Sequence, residues 1–178
     1  MLRQQAFTLI EMLVTLALLA VVTAFVVADL GRTMRLRHYS SVLNEMVGNF
    51  ALARSEARMR RLPVHACAVN LKSNLDVQGC QPQTTTPAPY RWEEGLMIFY
   101  DKVGGRSGVY DSKEQLAITA IEPGLHLMLT TSQRLLTFNP DGMMKSSQVV
   151  FEFAVPQDGW CQRLIIFRTG ISRQGDCG

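Results

Sequence analysis

The side chains best suited to catalysis are widely scattered in this 178-residue chain. Histidine serves enzymes as a general acid or base near neutral pH. The three histidines, His38, His65 and His126, stand far apart, and no Gly-x-Ser-x-Gly nucleophile motif accompanies them. We therefore expect a protein that is not an enzyme and that uses no cofactor.

Four cysteines offer a second kind of chemistry, either metal binding or disulfide formation. A zinc site is the alternative because His65 stands near Cys67, but no two cysteines have the short spacing typical of zinc ligands. An even number of cysteines in a small β-rich region favours disulfides in an oxidising compartment. Three pairings are compatible with four cysteines. We expect the local one, Cys67–Cys80 with Cys161–Cys177, and no metal.

One carboxylate stands where a charge is costly. Residues 7–27 read FTLIEMLVTLALLAVVTAFVV, 21 residues in which Glu11 is the only charge. A helix of this length would measure about 32 Å, which matches a hydrocarbon core of about 30 Å. Because a carboxylate inside a membrane costs about 2.5–3.5 kcal/mol, we expect Glu11 to have a function and a partner.

A cleaved secretory signal is the alternative interpretation of this segment, with cleavage after Val26-Val27-Ala28. Signal peptides have a basic start and an apolar stretch of about 7–15 residues. Here the apolar stretch is longer, Arg3 is the only basic side chain before it, and a discarded peptide has no use for Glu11. We therefore expect residues 7–28 to be retained as a transmembrane or filament-core helix.

The residues at the start of this helix, Ala6-Phe7-Thr8-Leu9-Ile10-Glu11, resemble the processing signal of type IV prepilins and type II secretion pseudopilins. The resemblance implies that a prepilin peptidase cuts between Ala6 and Phe7, removes the leader 1–6 and methylates the amine of Phe7. Glycine is usual before the cut, and alanine adds only a methyl group. The resemblance also implies that Glu11 pairs with the amine of a neighbouring subunit, since buried charges persist when they are matched.

The expected location is the bacterial inner membrane, with one span and a periplasmic head, and the pilus after assembly. Arg3 precedes the span while Arg32, Arg35 and Arg37 follow it, which by the positive-inside rule favours the reverse orientation. The four cysteines argue against that reversal, because all of them follow the span and disulfides form in the periplasm.

Helical periodicity continues beyond the span, and strands follow it. Apolar side chains at steps of three and four predict an amphipathic continuation over 29–62 that ends before Pro63, with Gly31 as an alternative break. Short apolar runs and an Asn-Pro-Asp-Gly turn at 139–142 predict a β-rich head over 63–178. The predicted strands are Val64–Leu71, Leu96–Asp101, Leu125–Thr130, Arg134–Asn139, Gln148–Ala154 and Gln162–Arg168.

The order of motifs in the head resembles that of the FimT/GspH family of minor pilins and minor pseudopilins. An arginine-containing helix end, 54–57, precedes a strand with Cys67, and a Trp92-to-Asp101 spacing, the 138–142 turn and a hairpin around Gly170 follow. The resemblance implies an α+β fold in which a long N-terminal helix packs against an antiparallel β-sheet head. We expect Trp92 and Phe99 to be core residues, and 104–108 to be a turn and not a phosphate site.

The resemblance implies a minor type IV pilin that is incorporated into a pilus or primes its assembly. Its expected partners are other pilin subunits, the prepilin peptidase and the inner membrane. The alternative is a minor pseudopilin of a type II secretion system, which acts on exported proteins. The sequence leaves both machines open.

Some FimT-like proteins resemble one another in a Gly-Arg-x-Arg motif near the C-terminus and bind DNA during natural transformation. Here Gly170-Ile171-Ser172-Arg173 occupies that place, with Ile171 in the first arginine position. We expect Arg168 to compensate, because a loop over 169–172 would set it opposite Arg173, with Arg163 facing the other side. Residues 63–178 hold 10 basic and 11 acidic side chains, so binding to double-stranded DNA is expected to be weak, local and independent of sequence.

Overall fold

The computed structural model describes residues 8–74, 76–82 and 88–177, and for residues 24–29 it describes the backbone alone. The chain divides into two units. One ends at His38, and the other, a compact unit that contains the sheets, begins at Tyr39. The division therefore falls inside a helix, upstream of the expected start of the head at residue 63.

Helix α1 runs from Leu9 to Arg60. Gly31 lies inside it, so the alternative break at that glycine is not observed. The helix ends shortly before Pro63, and Arg61 adopts a left-handed conformation with φ of 55°. This end agrees with the sequence, because a proline disfavours the helical conformation of the residue before it.

Ten strands follow α1 in the described part of the chain. They are β1 Val64–Leu71, β2 Val77–Cys80, β3 Tyr90–Arg91, β4 Gly95–Tyr100, β5 Gln115–Ala120, β6 Met128–Thr131, β7 Leu135–Phe138, β8 Gln148–Val155, β9 Trp160–Phe167 and β10 Ser172–Asp176. Two short 3-10 turns, Pro123–Leu125 and Pro156–Asp158, precede β6 and β9.

The strands form two antiparallel sheets. The first has the order β2-β1-β4-β5 with β7 also paired to β1, and the second has the order β10-β9-β8-β6-β3. Six of the ten strands match the predicted runs within a few residues, and β10 was predicted only as the second strand of the hairpin around Gly170, whereas β2, β3 and β5 were not predicted. Of these, β2 and β3 are short and β10 is polar, so pairing with a neighbouring strand defines these three more than their own hydrophobic pattern does.

The part of α1 that lies in the compact unit packs against both sheets. Val42 is buried in this part of the helix, and the six other buried side chains alternate steps of four and three residues, as expected of one helix face: Tyr39, Leu43, Met46, Phe50, Ala53 and Ala57. The ring of Phe50 lies 5.2 Å from that of Phe151 on β8. The side-chain amide of Asn49 donates a 2.7 Å hydrogen bond to Thr119 on β5. The α+β fold predicted from the sequence is thus confirmed.

The central strand β1 is buried on both faces, because helix and loop cover opposite sides of the first sheet. Cys67 and Val69 on β1 join Met97 and Phe99 on β4 in a second small core. The loop after β4 supplies Tyr110, whose ring lies 5.8 Å from that of Phe99. Phe99 and Trp92 are both buried, as core aromatics should be.

Candidate functional site

The first part of α1 exposes apolar side chains on every side. Residues 8–23 are all exposed, and Leu9, Ile10, Met12 and Leu16 each present more than half of their surface to solvent. Glu11 stands among them in the first helical turn, where the helix dipole favours a negative charge. No cation among the described residues lies within ion-pair distance of its carboxylate.

The expected cleavage position, Ala6 and Phe7, lies outside the described residues. Among the residues that are described, no helix is both long enough and apolar enough to cross a bilayer.

The C-terminal hairpin has a different register from the one predicted. The Phe167 amide donates a 2.9 Å hydrogen bond to the Ile171 carbonyl, and Arg173 pairs with Ile165. The loop is therefore 168–171, and the expectation that Arg168 and Arg173 face each other across the hairpin is wrong. Gly170 allows this earlier closure, because its φ of 76° belongs to the left-handed region that glycine adopts readily.

The partner of Arg173 lies three residues earlier in the chain than predicted. A shift by an odd number of residues changes which arginines share a surface, since successive side chains on a strand point to opposite faces. Arg173 lies opposite Ile165, and Arg163 is on the same face as Ile165 two residues away. Diagonal neighbours of this kind are about 7–8 Å apart. Arg163, which was expected to face away, thus shares a face with Arg173, and its guanidinium lies 3.4 Å from Glu152.

Arg168 is exposed in the turn, and its backbone is fixed at two points. Its amide donates to the Ser147 carbonyl at 2.8 Å, and its carbonyl accepts from the Met144 amide at 2.7 Å. These bonds hold the turn against the segment that follows the 139–142 turn. The two turns therefore lie side by side.

Two glycine turns pack against the C-terminal end of α1. A Cβ added to Gly142 would lie 2.6 Å from Arg58 Cδ, and one added to Gly170 would lie 2.6 Å from Arg54 Cδ. Arg54 Nε is buried without a hydrogen-bond partner among the described residues. Arg54, Arg58 and Arg168 thus come from distant parts of the sequence to the same end of the head.

Arg54 was expected only as part of a family motif, and Arg58 was not predicted as a site residue. The sequence feature that could have indicated these two site residues is the presence of glycines in turns together with several arginines at the end of the helix. Nothing local in the sequence indicates that these segments meet.

The cysteines form two disulfides, Cys67–Cys80 and Cys161–Cys177, with sequence separations of 13 and 16 residues. This is the local pairing expected from the sequence. Cys67 is 2% exposed in the second core, whereas Cys161 and Cys177 are half-buried. The sulfurs of the second pair lie near the Glu152 carboxylate, but disulfide sulfurs are not thiolates and do not offer a metal the ligand it needs.

The loop between β4 and β5 is organised by two buried carboxylates at its ends. Asp101 accepts the Gly108 amide at 3.1 Å, and Glu114 accepts the amides of Lys102 and Asp111 at 3.1 and 2.7 Å. On the exposed side of the loop, a hydrogen bond from the Arg106 side chain lowers the pKa of Asp111. The residues 104–108 lie in this loop as turns, as predicted.

His65 connects β1 to this loop and to β7. Its Nδ1 lies 3.0 Å from Thr137 Oγ1, and its Nε2 lies 3.0 Å from Asp101 Oδ2 without the alignment of a hydrogen bond. The order of a carboxylate, an imidazole and a hydroxyl is that of a hydrolytic triad. His65 and Asp101 are only 3% and 8% exposed, however, so these side chains are enclosed and connect β1 to the neighbouring loop and strand.

Comparisons with known proteins agree with this architecture. Residues 1–27 match the prokaryotic N-terminal methylation motif, and residues 42–170 match the family described as type II transport protein GspH. No curated protein gave a significant match.

Two crystal structures of the type IV minor pilin FimU from Pseudomonas aeruginosa PAO1 have similar folds. The first has a TM-score of 0.51 at 18% identity and covers 78% of this chain and 89% of FimU. The second, from another crystal form, has a TM-score of 0.48 at 18% identity and covers 76% and 91%. At this identity, the first likeness supports the fold alone.

The GspH match extends over more than two thirds of the chain and includes the helix end and every strand except β10, and it ends at Gly170. The methylation motif covers residues 1–27, which include the apolar start of α1 and which the GspH match does not reach. The chain therefore belongs to the GspH family and is a protein of the minor pilin and pseudopilin type.

Proposed function

We propose that this protein is a minor subunit of a type IV pilus, incorporated into the filament or priming its assembly. The observation that carries the proposal is the exposed apolar surface of residues 8–23, with Glu11 as its only charge. Apolar surface of this extent is unfavourable in water and requires a membrane or other subunits to cover it.

In this proposal the inner membrane covers the helix before assembly, and neighbouring subunits cover it afterwards. Cleavage between Ala6 and Phe7 creates the methylated amine of Phe7. In the filament, Glu11 pairs with that amine on an adjacent subunit, because a carboxylate in an apolar interior requires a matching charge. The two disulfides support a periplasmic location for the head, since such bonds persist in oxidising compartments.

The test compares Glu11→Leu with Glu45→Gln, a change at an exposed glutamate on the same helix. Glu11→Leu should leave the amount in membranes unchanged or raised, because it removes a charge from the apolar segment. Its amount in sheared filaments should fall by at least about tenfold if it leaves a neighbouring amine unpaired. Incorporation equal to that of Glu45→Gln would refute the pairing.

A minor pseudopilin of a type II secretion system is the second candidate, and the GspH family description favours it. The two machines differ in what is lost when the subunit is deleted. Deletion should abolish surface pili and leave secreted proteins unchanged if the subunit acts in a pilus. Loss of secretion with normal piliation would assign it to the secretion system.

We also propose that the head of this pilus subunit contributes to DNA uptake through the arginines at one end of the head. Arg168 is exposed there beside Arg54 and Arg58, both of which support the glycine turns. Arginines without base contacts bind phosphates and carry no sequence information. Arg173 lies on the outer face of the hairpin with Arg163 and forms a separate pair. The proposed site is therefore centred on Arg58 and Arg168, in place of the predicted site Arg168, Gly170 and Arg173.

The salt dependence of duplex binding tests this site. Each phosphate contact contributes about 0.9 to the slope of log affinity against log salt, so Arg58→Ala with Arg168→Ala should flatten the slope by about 1.8. The control replaces Arg91 and Arg106, which form ion pairs with Glu93 and Asp111 elsewhere on the surface. An absence of binding at low salt, or equal slopes in both double variants, would exclude the role. If the outer pair binds instead, Arg163→Ala with Arg173→Ala will flatten the slope.

A further inference from the structure

A cleft of about 560 Å³ lies at the junction of the two sheets. Its apolar floor includes Ile121 at the end of β5 and Leu127 and Met128 at the start of β6. Ile121 and Leu127 are 4% and 5% exposed, whereas Met128 is 39% exposed. Pockets that bind ligands have volumes of about 300–1,000 Å³ and combine apolar linings with a few polar groups.

Two rigid turns form the walls of the cleft. Pro123 and Pro156 each begin a 3-10 turn, and each turn ends in a left-handed residue, His126 with φ of 49° and Gly159 with φ of 62°. A proline fixes its own φ, so these walls have little freedom to lose when a ligand binds. A preformed cleft of this kind binds at a lower entropic cost than a mobile one.

The rim of the cleft is acidic. Glu93, Glu94 and Glu122 line it, and no lysine or arginine does so among the described residues. Arg91 lies 2.9 Å from Glu93 and offsets part of that charge, whereas Glu94 accepts the neutral amide of Leu71. Glu122 is exposed and has no ion-pair partner in the described part of the chain. Carboxylates beside apolar walls concentrate a negative potential that attracts cations.

The edge of β6 in the cleft is paired over only part of its length. β3 covers β6 only at Thr130 and Thr131, and the Trp92 amide binds the Leu129 carbonyl. Neither backbone group of Leu127, the next residue with the same orientation, forms a hydrogen bond with another described residue. An extended peptide can add to such an edge and place its side chains in neighbouring pockets.

From these four features we infer that the cleft docks an extended protein segment with one lysine or arginine between apolar side chains. The cation lies against Glu122, the apolar side chains cover Leu127 and Met128, and the segment backbone pairs with Leu127. The acidic rim favours a positively charged segment over a negatively charged one. The apolar floor disfavours a segment whose side chains are all polar. This inference stands independently of the machine in which the subunit acts.

The experiment uses the full chain in phosphatidylcholine nanodiscs with ¹³C-labelled methionine methyl groups. Met128 is the reporter, and its resonance is assigned with Met128→Leu. The probe is the blocked peptide Leu-Val-Lys-Val-Leu, compared with Leu-Val-Glu-Val-Leu and Ser-Thr-Lys-Thr-Ser. We expect only the first peptide to shift the Met128 methyl in a saturable manner.

Charge variants then test the rim. Glu122→Gln should weaken binding of the lysine peptide about threefold, the usual size of one exposed ion pair. Glu122→Lys should transfer the preference to the glutamate peptide, while the control Glu45→Lys should leave it unchanged. A Met128 shift of equal size with both apolar peptides, no shift with either, or an unchanged preference in Glu122→Lys would overturn the inference.

Discussion

Gly170 and Arg54 are in contact at one end of the head, although 116 positions separate them in the sequence. A Cβ on Gly170 would lie 2.6 Å from Arg54 Cδ, closer than two carbon atoms approach each other without displacement. Gly170 therefore has two reasons to be glycine, its positive φ and this contact. The contact holds the C-terminal hairpin loop on the end of α1.

Replacing Gly170 with alanine should destabilise the protein by about 2–4 kcal/mol, because left-handed strain and overpacking add together. Gly104→Ala is the matched control, since Gly104 also has a positive φ but nothing lies within 4 Å of its added Cβ. That control should lose only about 1–2 kcal/mol from strain. Urea unfolding followed by tryptophan fluorescence measures both.

A double-mutant cycle separates the two causes in Gly170→Ala. In an Arg54→Ala background, the cost of Gly170→Ala should fall towards that of Gly104→Ala, because the side chain that it meets has been shortened. If the losses of stability from Gly170→Ala and Arg54→Ala are strictly additive, contact with Arg54 contributes nothing to the cost of Gly170→Ala.

The two disulfides should differ in their resistance to reduction. Cys161–Cys177 is half-buried, whereas Cys67 lies in the second core, so dithiothreitol without denaturant should reduce Cys161–Cys177 first. Alkylation and mass spectrometry report the order. Simultaneous reduction would contradict it and indicate that the head opens as one unit.

Removing either disulfide by paired Cys→Ala changes should cost about 3 kcal/mol, as expected for closed loops of this length. The loss at Cys67 and Cys80 should be the larger, because these changes also leave space in a packed core. Equal losses in denaturant unfolding would show that core packing around Cys67 adds nothing.

Asp101→Ala should release the loop between β4 and β5. The change removes the acceptor of the Gly108 amide and the carboxylate beside His65, at a cost of about 1.5–3 kcal/mol for a charged hydrogen bond. Trypsin should then cut after Arg106 faster than in the native protein. Asp76→Ala, at an exposed aspartate elsewhere, is the control, and equal cleavage rates in the two variants would refute the role of Asp101.

Arg106→Ala should raise the pKa of Asp111 towards its ordinary value of about 3.9. In the native protein the pKa of Asp111 is lowered because the Arg106 side chain donates a hydrogen bond to it. Its stabilisation is therefore present above the ordinary pKa and is lost as the pH falls through the lowered one. Carboxyl ¹³C NMR across an acid titration measures the shift, and identical curves in both proteins would contradict it.

N-terminal mass analysis tests processing. We predict a mature protein that begins with methylated Phe7 and retains the apolar segment. A mature start at Asp29 would instead identify residues 1–28 as a discarded signal peptide. Ala6→Gly is an informative variant, because the usual residue before the cut should process at least as completely.

Features that depend on neighbouring residues were predictable from the sequence. The apolar run with Glu11 is recognisable from its composition, and the helix end near Pro63 follows from local steric effects. The strand β1 is visible as a largely apolar run because both of its faces are buried. Cys67–Cys80 and Cys161–Cys177 join nearby residues, so the short loops that they close favoured the observed pairing.

The surfaces proposed to bind ligands depended on the tertiary structure. The register of β9 and β10 is set by closure of the loop at Phe167 and Ile171. It differs from the predicted register by three residues, which makes Arg163 and not Arg168 the companion of Arg173 on one face. The arginine end of the head and the acidic cleft each combine segments from different strands and turns. Contacts between such distant segments follow from how the helix and both sheets pack, and no local pattern in the chain encodes that packing.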